Sequence, residues 1–138
     1  MLETPLHPKL VHFAIAFILG ALVLDVLGLL LKKQSLTKAA VIILVMAALS
    51  SVLALASGLL EEQRLHLQHP LLEQHERMAF ITTGLVWLAT VLQWLLKDYP
   101  QWRQVITTFL LAGISLTVLI TAHLGGTMVY QYGVGVTP

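Results

Sequence analysis

Four apolar runs, each about as long as a bilayer-spanning helix must be, occupy most of this 138-residue chain. That feature leaves few options. Lipid cannot pair a free amide or carbonyl, so a spanning segment must satisfy its own backbone, as a helix or in a closed barrel. The runs are continuous rather than alternating in polarity, which excludes the barrel. Composition agrees. The chain is 57% hydrophobic and 11% charged, with mean hydropathy +0.84, whereas a soluble domain carries about 25% charged residues. The expected fold is all-α, a transmembrane up-and-down four-helix bundle. It forms a single integral membrane domain over residues 1–138, with spans near 8–31, 37–60, 71–96 and 102–128.

Local signals place those bounds. His7-Pro8 starts the first helix, since proline at the first helical position lacks an amide that would go unpaired. Lys32-Lys33 closes it, and Gly58 with Glu61-Glu62 closes the second. A polar connector is expected from Glu61 to Pro70, and a short turn at Lys97-Asp98-Tyr99-Pro100. Gly125-Gly126 is a weak point in the last helix, and the tail from Val129 to Pro138 has no clear conformation. The N-terminus, Met-Leu-Glu-Thr-Pro, lacks the basic region of a cleaved leader and precedes too long an apolar run, so the first helix is expected to be retained.

Several function classes drop out. Net charge is +1 with no basic patch, so nucleic acid is not an expected partner. There is no cysteine, which excludes disulfides, thiol catalysis, c-type haem attachment and iron–sulfur ligation by thiolate. Ser50, Ser51 and Ser57 show no nucleophile pattern, and unbroken short-looped helices give little support for transport without homo-oligomerisation. The expectation is an accessory or electron-transfer protein rather than an enzyme.

Lysine and arginine counts set the expected topology. The side holding the 1–2 and 3–4 turns has Lys32, Lys33, Lys38, Lys97 and Arg103, while the other has Lys9, Arg64 and Arg77 with Glu3, Glu61, Glu62, Glu73 and Glu76. Both termini then face the periplasm of a bacterial inner membrane. The two halves share a layout, with a histidine near the start of helices one and three, but the spacing is too loose to count as duplication.

All six histidines fall on that periplasmic side. His12 opens the first run, His75 the third, and His123 closes the fourth; His7, His66 and His69 lie in the flanks. An ionisable group inside a membrane marks a functional site by default. Neutral imidazole is a common ligand of haem iron, copper and zinc. A haem held by two histidines needs them on facing helices, and in a sequential bundle helices one and three are diagonal, leaving room for a macrocycle. His12 and His75 are therefore the expected axial ligands of a haem b. His75 shares its face with Ala79, Thr82 and Val86; His123, beside Gly125-Gly126, and His7 are expected to line the site. A copper or zinc site, or no cofactor, are the alternatives. His66 and His69 are read as solvated. On helix two, Ala47, Ser51, Ala54 and Gly58 make a small-residue face for close helix packing. Asp25, about 220° around helix one from His12, is expected to pair with a lysine such as Lys38 or to reach the headgroups, with a proton-handling role as the other reading.

The opening Leu6-His7-Pro8-Lys9-Leu10-Val11-His12-Phe13, the stretch from Gly20 through Asp25 to Gly28, and the ending from His123-Leu124-Gly125-Gly126-Thr127 to Tyr130-Gln131-Tyr132-Gly133-Val134-Gly135-Val136 resemble a bacterial membrane-protein family, the one catalogued as domain of unknown function 2231. The resemblance covers nearly the whole chain and is weaker in the middle, where His75 stands out. It implies four transmembrane helices and His7, His12, His75 and His123 as the characteristic polar set. It also implies a redox setting, because members occur fused to or beside c-type cytochrome domains. Ala14 stands where a proline is common, and Thr127 where an arginine is common, which weakens an anion or propionate contact. The expected function is a b-type haem electron-transfer subunit of the membrane, working with a c-type cytochrome, a quinone or a larger redox complex. The alternative is a structural or assembly subunit without its own cofactor.

Overall fold

The computed structural model describes residues 6–66 and 68–134; Glu3 and the Gly135–Val136 end of the tail lie outside these. Four helices follow one another: α1 Leu6–Leu30, α2 Gln34–Leu65, α3 Pro70–Leu95 and α4 Pro100–Tyr132. All four are long and apolar enough to cross a membrane. Each packs on its neighbours in chain order, α1 on α2 and α4, α3 on α2 and α4, closing an up-and-down bundle. Packing is closer within the α1–α2 and α3–α4 hairpins than between them. One end of the bundle holds the start of α1, the end of α4 and the α2–α3 connection; the other holds the two hairpin turns.

Two helices outrun their expected bounds. α2 continues through Gly58, Glu61 and Glu62 to Leu65, so half of the expected connector is a continuation of the helix, and α4 passes Gly125-Gly126 without a break. A mid-helix glycine costs only about 1 kcal/mol relative to alanine, and a break within lipid would leave several backbone groups unpaired. At 1.5 Å per residue, the 32 residues of α2 and 33 of α4 exceed the ~30 Å hydrocarbon layer, so their ends project from it.

The helix ends show what stops them. α2 stops at His66, which adopts φ 48° and returns its N–H to Glu62 O, and α4 stops at Gly133, φ 63°. α3 begins with Pro70 at its first position, and the His69 ring accepts a hydrogen bond from Leu71 N at 3.2 Å. His69 thus caps a helix, and its ring lies 4.7 Å from that of Tyr132.

Inside, side chains are small or branched. Ile18, Leu44, Val86 and Leu111, one from each helix, are fully buried and belong to one core cluster with Ala21, Ala47, Ala48, Ala89 and Ile114. Outside, Ile42, Phe109 and Leu116 are exposed, as expected of a face against lipid.

The core also reveals a repeat that loose sequence spacing hid. The shift that carries His7 to His75 carries Ala14 to Thr82, Ile18 to Val86, Ala21 to Ala89 and Asp25 to Gln93. A shift one residue shorter carries Ala40 to Thr107, Leu44 to Leu111, Ala48 to Ser115, Ser51 to Val118 and Gly58 to Gly125. Apart from His7, His75, Gln93, Gly58 and Gly125, every residue in these pairs is buried. The two hairpins thus use the same inward-facing positions. The match escaped a reading for identity because mostly position and size persist, not residue type.

Candidate functional site

Near the terminal end, each hairpin holds one histidine in the same way. His7, in the first turn of α1, places Nδ1 3.0 Å from the main-chain oxygen of Ala54 on α2, and 3.0 Å from Ser57 Oγ. Ser57 itself donates to Ala54 O at 2.8 Å. His75, in the second turn of α3, places Nδ1 2.9 Å from the main-chain oxygen of Thr121 on α4. A carbonyl only accepts, so Nδ1 carries the proton in both rings. The second nitrogen, Nε2, then presents its lone pair, which is the tautomer a metal ligand needs.

A glycine backs each ring. A Cβ built on Gly58 would come within 2.9 Å of His7 Cε1, and one on Gly125 within 3.1 Å of His75 Cε1. In each hairpin the glycine lies one turn beyond the residue whose carbonyl takes the imidazole proton. The small-residue face of α2 therefore does more than let helices approach, because its last member makes the seat for His7.

The two rings meet across the α1–α3 diagonal, with centroids 6.4 Å apart and planes 89° to one another. A metal bound end-on between two imidazoles, about 2.0 Å from each nitrogen, separates ring centroids by roughly 6 Å. Perpendicular planes suit that arrangement as well as an edge-to-face contact.

The other expected site residues lie elsewhere. His12 is not brought to His75. It is exposed, and its Nδ1 bonds to Pro8 O of its own helix. Five residues at 100° each turn it about 140° away from His7, so a common depth did not imply a common face. His123 is also exposed, in a shallow open groove with Gly126, Thr127, Tyr130 and Gln131. His66 is an exposed helix terminus. The residues that a search for ligands missed are Ala54, Ser57, Thr121, Gly58 and Gly125, and the signal for them was a glycine in matching positions of the second and fourth helices.

About two turns below the pair, at 5.4 Å per turn, the inward positions are Ala14, Ala48, Thr82 and Ser115. All are small. Thr82 Oγ1 and Ser115 Oγ are buried without a hydrogen-bond partner, whereas buried Ser50, Ser51 and Thr107 donate to carbonyls of their own helices. Below them the Ile18–Leu44–Val86–Leu111 layer closes the core. Among the described residues no group of three or more His, Asp or Glu is arranged to hold a metal ion by itself.

Asp25 sits far from this pair, and no lysine reaches it. It is 2% exposed and is bonded instead by Gln104 and Thr108 of α4.

A family model described as "Predicted membrane protein (DUF2231)" matches residues 3–138. No curated protein and no solved structure matches the chain.

Proposed function

The chain belongs to the DUF2231 family of membrane proteins, and we propose that it is a b-type haem electron-transfer subunit with His7 and His75 as the axial ligands. One observation carries this reading. Two histidines on diagonal helices are each locked by Nδ1 to a main-chain carbonyl of the next helix, and their ring centroids lie 6.4 Å apart, close to the separation that one metal between two imidazoles needs. Zinc sites take three or four protein ligands, whereas haem supplies four of the six nitrogens itself and asks the protein for two. The donor set thus fits haem better than a free copper or zinc ion.

When bound between His7 and His75, haem would supply one-electron chemistry. The chain's own part is to hold and orient. Ala54 and Thr121 carbonyls fix ring tautomer and direction, and hydrogen bonding at Nδ1 raises the basicity of the ligating nitrogen. Gly58 and Gly125 keep α2 and α4 clear of the rings. The basic-residue bias supports a periplasmic position for this end at the inner membrane, where a c-type cytochrome, a quinone or a larger redox complex would exchange the electron.

A second reading has an observation of its own. Both Nδ1 atoms are already satisfied, and the rings touch edge to face. The pair thus also serves as a bridge between hairpins in a structural or assembly subunit with no cofactor. An absorption spectrum of the purified protein, oxidised and reduced, after haem-replete expression separates the two. The haem reading expects a sharp reduced b-type band, lost or converted to a five-coordinate spectrum in His7→Ala and in His75→Ala and kept in His12→Ala. Wild-type protein without haem leaves the structural reading in its place. Loss in His12→Ala with retention in His7→Ala returns the ligand role to His12.

A further inference from the structure

The turn end of the bundle holds the only buried acid among the described residues, Asp25, at 2% exposure. Its surroundings are polar but neutral. Oδ1 accepts from Gln104 Nε2 at 2.7 Å, and Oδ2 is bonded to Thr108 Oγ1. Gln93 and Thr107, bonded to each other, add a further neutral polar pair on α3 and α4. The charged side chains at this end of the bundle are Lys32 and Lys33 in the α1–α2 turn, Lys38 on α2, Lys97 and Asp98 in the α3–α4 turn, and Arg103 on α4. Among the described residues none of these makes an ion pair with Asp25.

Thr108 has two calls on one proton. Its Oγ1 bonds to Asp25 Oδ2 and also lies 3.0 Å from the main-chain oxygen of Gln104, one turn back. A hydroxyl has one proton to donate, and a carbonyl oxygen only accepts. With Asp25 ionised, the hydroxyl donates to Oδ2. With Asp25 protonated, Oδ2–H donates to Thr108 Oγ1, and the hydroxyl turns to the Gln104 carbonyl. That second direction is the one Thr90, Thr107 and Thr121 already take toward carbonyls four residues back, at 2.8, 2.7 and 2.8 Å. Gln104 bonds Oδ1 in either state. Both protonation states are thus accommodated by rotating one hydroxyl.

We propose that Asp25, with Thr108 as its rotating partner and Gln104 as its fixed one, is a reversible proton-binding site inside the turn end of the bundle. An ionisable side chain within a membrane segment marks function, and this one is built to gain and lose a proton without breaking its contacts. The ligand is a proton delivered by water from the nearby membrane face. The buried Ile18–Leu44–Val86–Leu111 layer separates it from the histidine pair, so the inference stands whether or not haem is bound.

The test is infrared difference spectroscopy of the intact detergent-solubilised protein, titrated with acid. A carboxylic-acid C=O band should appear as pH falls and be missing in Asp25→Asn. Thr108→Val should raise the frequency of that band, because the protonated acid loses the hydroxyl that accepts its hydrogen bond. Thr108→Ser, which keeps the hydroxyl, should restore it. If Asp25→Asn does not accumulate, carboxyl-¹³C aspartate should shift the band in Asp98→Asn protein, where Asp25 is the one aspartate left. A titration with no aspartate band overturns the proposal, and so does a band that Thr108→Val leaves unmoved.

Discussion

Single atoms decide whether a glycine or a hydroxyl matters in this bundle. Gly58 and Gly125 face histidine rings, while Gly84 and Gly113 have open space where a Cβ would stand. Gly58→Ala must push the His7 ring by several tenths of an ångström, an overpacking that costs about 1–3 kcal/mol. Gly113→Ala should instead be neutral or stabilise the helix by up to about 1 kcal/mol. Thermal unfolding midpoints in one detergent check the contrast, and a lower midpoint for Gly113→Ala than for Gly58→Ala would contradict it. The unpaired hydroxyls give a prediction of opposite sign. A buried polar group with no partner costs about 1–3 kcal/mol, so Thr82→Val, which keeps shape, should raise the midpoint. If it lowers it, that hydroxyl has a partner that remains to be found.

At the scale of elements, helix ends follow backbone chemistry more than loop composition. His66 terminates α2 in the left-handed region at φ 48°, which glycine adopts without steric cost. His66→Gly should therefore stabilise the protein by about 0.5–1 kcal/mol and leave any haem spectrum unchanged, because the exposed ring lies outside the proposed ligand pair. A spectral change in that variant would mean the outer histidines reach the site. The same helix shows where sequence reading stops short. Glu61, Glu62 and Arg64 look like loop residues by polarity, yet they continue the helix. Polarity marks where lipid ends, and a helix need not end there.

For the whole molecule, two hairpins with the same inward positions pack side by side in the same orientation. The even number of spans puts both termini on one side. The basic bias then predicts that a reporter fused at Lys33 reads as cytoplasmic and one at Pro138 as periplasmic. Two fusions reading the same compartment would contradict the topology. His7 and Asp25 lie at opposite ends of one interior, on one face of α1. Eighteen residues from His7 to Asp25 make five whole turns at 100° per residue.

That periodicity separates what was legible from what was not. The number of helices, their approximate extent and the gathering of histidines at one end all follow from sequence, because lipid forces every long apolar run to satisfy its own backbone as a helix. Rotation about each helix axis was also within reach for α1, where His7, Ala14, Ile18, Ala21 and Asp25 share a stripe and His12 falls outside it. Depth alone hid that difference. Which helices meet, and therefore that Gly58 faces His7, that Gly125 faces His75 and that Thr108 faces Asp25, depended on tertiary packing. Helices that are apolar all round carry no strong preference for one face. Small side chains, carbonyls that accept a proton and a glycine in the right place decide it, and those interactions exist only once the hairpins have closed on each other.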